Sequence, residues 1–145
     1  MPTKKSPKAK NRIAVQVAVR GVPSPALLRR YAREASRATI TLRIVGIAEA
    51  RKLNKKYRAK NYATNVLSFP YGNGNGDVVL CHPVIEEEAK LQQKSLRAHY
   101  AHLVVHGVLH LRGHDHMHRK DAARMERLEI RILGRLGFGD PYTVR

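Results

Sequence analysis

The chain has 145 residues, 43% of them hydrophobic, which is the length of one domain with enough apolar material for one core. Its 28 Lys and Arg against 11 Asp and Glu give a net charge of +17 with histidine neutral, a balance that attracts polyanions, nucleic acid first, and disfavours basic partners. No apolar run approaches the roughly 18 residues of a membrane span, and the single cysteine, Cys81, excludes an internal disulfide and fits a reducing, cytoplasmic setting.

Residues 1–12, "MPTKKSPKAKNR", read as a basic, flexible arm, because they pass directly into the alternating "IAVQVAVRG" without the uninterrupted apolar core of a signal peptide. Residues 13–145 read as a single domain. Ile13, Val15, Val17 and Val19 share one side of a strand that Gly21 and Pro23 end. Ser24 before Pro25 is a helix start, followed by Leu28, Tyr31, Ala32 and Ala35 at helical spacing. "ATITLRIVG" supplies a second strand, and "IAEARKLNKKYR" a second helix that turns Leu53 and Tyr57 inward. A third strand, "NVLSF", is expected to stop at Pro70; the turn-rich "YGNGNG" then leads into "DVVLC" as its antiparallel partner. Both strands look apolar enough to be interior, which makes Ser68 and Asp77 structural. Pro83 opens a helix with Glu86, Glu87 and Glu88 near its start. Leu103, Val104, Val108 and Leu111 mark another helix, and Met125, Leu128, Ile132 and Leu136 line one face of a last helix over about 120–136. The order β-α-β-α-β-β-α-α-α predicts an α/β fold: a small mixed sheet covered by about five helices.

The stretch "HLVVHGVLHLRGHDH" holds five of the chain's histidines. His106 and His110 stand four apart on a predicted helix, so their rings leave the same face and can share one ion. Gly113 can take the left-handed conformation that reverses the chain and returns His116 to the pair. Three imidazoles leave a fourth position open on zinc, as in catalytic rather than structural sites, and water there has its pKa lowered toward about 7. The spacing H-x3-H-x2-G-x2-H matches the zincin-like site of the metzincin proteases, yet Gly107 stands where those enzymes place the glutamate that acts as general base. Peptide hydrolysis by that route is not expected. Asp115 either orients an imidazole or caps the turn. His99, His102 and His118 are expected to face solvent or pack beside the helix. Ser68 has neither a partner base nor a glycine elbow, which rejects serine hydrolase chemistry.

"HGVLHLRGHDH" is similar to the signature H-G-x-L-H-L-x-G-[aromatic]-D-H of the bacterial YbeY family of endoribonucleases and ribosomal RNA maturation factors. "LNKKYRAKNYATNVLSFP" at 53–70 resembles that family's L-N-x-x-[YF]-R-x-K-[DN]-x-x-T-D-V-L-S-F-P, and "GDVVLC" at 76–81 its next segment. The resemblance implies one Zn2+ per chain on His106, His110 and His116, and a cytoplasmic endoribonuclease specific for single-stranded RNA. It further implies work at the 3′ end of 16S ribosomal RNA and in ribosome quality control, with the ribosome or small-subunit proteins as partners. Arg58 aligns with the arginine of the family's motif, and its guanidinium can hold two phosphate oxygens. The scissile phosphate is expected between zinc and Arg58, with Lys60 and the N-terminal lysines on the RNA backbone. Base stacking is confined to a few aromatics, Tyr57, Tyr62, Phe69 and Tyr71, each equally readable as core. Three departures stand out: Asn65 replaces an aspartate, His114 an aromatic, and the link from Phe69 to Asp77 is short. A second reading is a ribosome-associated RNA-binding assembly factor whose metal is structural; a metalloprotease is a distant third. Nickel, copper or iron also suit three histidines, and the oligomeric state is open.

Overall fold

The computed structural model describes residues 11–114 and 119–143. In chain order its elements are β1 (Ile13–Val17), α1 (Pro25–Ala35), β2 (Ile40–Val45), α2 (Ile47–Arg58), β3 (Val66–Gly72), β4 (Asn75–Cys81), α3 (His82–Leu91), α4 (Leu96–Leu111) and α5 (Arg119–Arg135). Local chemistry sets several of these bounds. The Ser24 hydroxyl accepts from the Leu27 N–H at 3.2 Å, and Pro25, which has no N–H to satisfy, begins α1. Ser95 caps α4 in the same way through the Ala98 N–H at 3.0 Å. Of the N-terminal arm only Asn11 and Arg12 are described, and both are already tied to β2: Asn11 N–H donates to Thr39 Oγ1 and Ile40 N–H to the Arg12 carbonyl.

The sheet runs β1-β2-β4-β3, with β1, β2 and β4 parallel and β3 antiparallel at the edge. β4 is therefore interior and buried on both faces. Val78 and Leu80 join the main core under α1, α4 and α5, whereas Val79 and Cys81 join a smaller one with Ala50, Leu53 and Leu67 beneath α2. The expectation that "NVLSF" is also interior is corrected: among the described residues β3 has a neighbour on one side only. The edge position also explains why the strand runs through Pro70 to Gly72 rather than stopping, since an edge residue needs no ladder N–H. Tyr57 is corrected too. It is 41% exposed and packs edge-on against Phe69, with ring centroids 5.1 Å apart.

α4 is the central helix. Its buried residues lie all round it, so it shows no single apolar stripe. Val104, Leu109 and, on α5, Met125 are each at most 1% exposed, and burial of such a side chain is worth roughly 1.5–3 kcal/mol. This packing fixes α4 against the sheet and α5 against α4, and the two helices carry the groups of the site.

Candidate metal centre and cleft

His102, His106 and His110 follow one another at four-residue intervals on α4, so they share one face. The rings of His106 and His110 lie with centroids 4.7 Å apart at 74°, and their Nε2 atoms are 3.2 Å apart. The other nitrogen of His106, Nδ1, lies 2.5 Å from Oε2 of Glu129 on α5. A carboxylate only accepts, so the His106 proton belongs on Nδ1 and the Nε2 lone pair faces His110. Two nitrogens bound tetrahedrally at about 2.0–2.1 Å to one zinc sit roughly 3.3 Å apart, close to the separation observed. The donor set therefore fits a metal ion.

Glu129 is wholly buried. Besides His106 it accepts from His102 Nε2 at 3.2 Å and from the Tyr142 hydroxyl, both on Oε1. Burial pushes its pKa up, but the bonds from His102, His106 and Tyr142 more than offset this and hold it at about 2. Burial and the bond to Glu129 push the Tyr142 hydroxyl above its usual range, which keeps it a donor. His102, His106 and Glu129 also bring ligand atoms within 4.8 Å of one another and can hold an ion as a group. That alternative uses His106 Nδ1 and moves the His102 proton onto Nδ1, which is buried with no partner among the described residues. An orphaned buried donor costs about 1–3 kcal/mol.

The cleft has a volume of about 520 Å³. It is lined by Arg58 at the end of α2, by residues 64–68 and Pro70 of β3 and its lead-in, and by His106 and His110 of α4. Arg58 is placed by the helix end. Ala59 takes a left-handed conformation and its N–H bonds the Lys55 carbonyl, the Lys60 N–H bonds that of Asn54, and buried Asn54 holds the Tyr62 carbonyl at 2.8 Å. Lys60 is exposed just beyond and is not part of the lining.

Gly107 explains the missing general base. A Cβ there would lie 2.7 Å from Val78 Cγ1 and 3.2 Å from Val66 Cγ2, so α4 lies too close to the sheet for any side chain at this position. The Ser68 hydroxyl donates to the Gly107 carbonyl at 2.9 Å, which gives this serine the structural role expected of it. Buried Asp77 likewise accepts from the Tyr71 hydroxyl at 2.6 Å. Asn65 donates its amide to Glu88 of α3 at 3.1 Å, and the same carboxylate accepts from His99 Nε2 at 2.8 Å. An aspartate at 65 would set two carboxylates against each other.

The left-handed turn expected at Gly113 is present: Gly113 has φ +94°, its N–H bonds the His110 carbonyl at 3.0 Å, and the His114 N–H bonds that of Leu109 at 3.1 Å. Burial, then Arg112 and Arg124, lower the His114 pKa. Asp115, His116 and His118 lie outside the described residues. His99 and His102 do not face solvent; each is engaged by a carboxylate. Glu129 is the residue that sequence reasoning missed, and one signal pointed to it: a charge set among Met125, Ile132 and Leu133 on the buried face of α5.

The family model described as endoribonuclease YbeY matches residues 10–137. Among relatives named endoribonuclease YbeY, that of Aromatoleum aromaticum is 53% identical over 126 residues, covering 83% of this chain and 82% of the relative. That of Nitrosospira multiformis is 48% identical over 157 residues, covering 93% and 83%. That of Polynucleobacter asymbioticus is 45% identical over 135 residues, covering 89% and 87%. A solution structure of a Thermotoga maritima protein superposes with a TM-score of 0.56 at 20% identity, over 92% of this chain and 100% of that one, a likeness of fold. With the matched span running from before β1 to just past α5, the chain belongs to the endoribonuclease YbeY family.

Proposed function

We propose that this protein is a metal-dependent endoribonuclease that cleaves phosphodiester bonds of single-stranded RNA in the cleft between Arg58 and the histidines. The observation that carries the reading is the pair of imidazole Nε2 atoms, 3.2 Å apart, on two residues that line the same cleft as Arg58. In this reading His106 and His110 hold zinc together with His116. When bound, the ion supplies Lewis acidity that makes water or a 2′-hydroxyl nucleophilic near neutral pH. The rest falls to the chain's own groups. Glu129 fixes the tautomer and direction of His106. The Arg58 guanidinium binds two non-bridging phosphate oxygens and offsets the charge that develops there. The net charge of +17 holds the RNA backbone, with affinity that falls as salt rises. Family membership and that charge also support ribosomal RNA as the substrate, its 3′-end maturation in the cytoplasm as the task, and ribosome-bound proteins as partners.

The test is cleavage of a single-stranded RNA by the zinc-loaded protein and two variants. His110→Ala is expected to lose at least about 100-fold in rate, and Arg58→Ala about 10²–10³-fold, as for loss of one transition-state donor. Equal rates in all three would refute the reading.

A further inference from the structure

The last helix ends at Arg135, yet the chain does not leave the molecule there. The Phe138 N–H bonds back to the Leu133 carbonyl at 2.8 Å, and its ring packs edge-on against Tyr31 with centroids 5.8 Å apart. Asp140 then accepts from the Tyr142 N–H at 2.7 Å, a turn around Pro141 that lays the Tyr142 side chain, itself 40% exposed, over the end of the site. The Tyr142 ring stands edge-on to His102, centroids 5.3 Å apart at 86°, and its hydroxyl reaches Glu129 Oε1.

We propose that Tyr142 is a positioning residue for the metal ligand His106, acting through Glu129; this rests on the reading of His106 as a ligand. Residue 142 lies five positions beyond the span matched by the family model, which ends at 137. The reasoning is one of hydrogen-bond capacity. Glu129 is wholly buried, so its oxygens have only protein donors to accept from. Oε2 is given to His106, and Oε1 is shared by Tyr142 and the longer, 3.2 Å bond from His102. The terminal torsion of a glutamate is soft. Removing the hydroxyl leaves one weak bond to fix the plane of the carboxylate, and the alignment of Oε2 with His106 Nδ1 loosens. The His106 ring then points Nε2 less accurately at the ion. A tail that merely packed against His102 would affect melting and nothing else.

Zinc affinity separates the two, measured by competition with a chromophoric chelator on the full chain well below its melting temperature. Tyr142→Phe keeps the ring against His102 and deletes only the hydroxyl. It is expected to weaken zinc binding about threefold to tenfold, at or below the lower end of the ~10–100-fold seen when a partner bonded to the ligand itself is lost. A chain ending at Asp140 serves as the second variant and is expected to lose at least as much. Wild-type affinity in both, with affinity lost in His106→Ala, would overturn the role of Tyr142 and leave the metal site standing. Wild-type affinity in His106→Ala would overturn the site itself, and this inference with it.

Discussion

Two of the histidines of α4, His99 and His106, meet carboxylates of different neighbouring helices, and the ring nitrogen each one uses decides what the pair can do. His99 gives Nε2 to Glu88 at 2.8 Å, while its Nδ1 is buried with no partner among the described residues. Nothing on that ring faces the cleft. His106, two turns later, gives Nδ1 to Glu129 at 2.5 Å and turns Nε2 toward His110. The two pairs have the same chemistry, yet one ties α3 to α4 and to Asn65 while the other leaves an Nε2 lone pair facing His110. A histidine beside a carboxylate is therefore not by itself a site; the lone pair that remains, and the group it faces, make it one.

The largest expected contrast comes from neutralising each carboxylate in turn. Glu129→Gln should weaken zinc binding about 10–100-fold, because the amide no longer offers the full charge that orients and polarises His106. Glu88→Gln should leave zinc affinity at the wild-type value and lower stability by about 1 kcal/mol, or roughly 2–4 °C in melting temperature. Zinc competition and thermal melting on both variants check this; equal losses of affinity would erase the distinction between the pairs.

A smaller effect sharpens the same comparison through pH. Burial lowers the pKa of His99 below its ordinary 6.5 by more than Glu88 raises it, with Lys94 and His102 adding to the decrease. As pH falls the unfolded chain takes this proton first, so the stability contributed by His99 is complete above about 6.5 and is lost as pH drops toward the folded value. Melting temperature should fall between about pH 7 and 5, and less steeply in His99→Gln. Parallel curves for the two proteins would contradict this.

Much of this architecture was legible because it is written locally. Ser24 with Pro25, the period of "IAVQV" and the helical spacing of "IAEARKLNKKYR" each act within a few residues, and α2 begins and ends as its pattern predicts. His106, His110 and the turn at Gly113 belong to the same class. What could not be read depends on partners distant in sequence. β3 is an edge strand because of where β4 pairs, which the apolar run of "NVLSF" does not encode. His99 meets Glu88 and His106 meets Glu129, 11 and 23 residues away, and Tyr142 closes on Glu129 from the opposite direction. The substitution of Asn65 for aspartate was visible as a departure; the bond from its amide to the carboxylate of Glu88 was not.

The central claim is that one ion, held by His106 and His110 on the cleft side of Glu129, drives RNA cleavage without holding up the fold. Chelating the purified protein, recording its melting curve and then restoring zinc in a cleavage assay tests this most directly. The account predicts that cleavage disappears, that melting moves by no more than a few degrees, and that about one equivalent of zinc restores activity to the wild type but not to His110→Ala. Cleavage that survives chelation, or unfolding when the metal is removed, would contradict it.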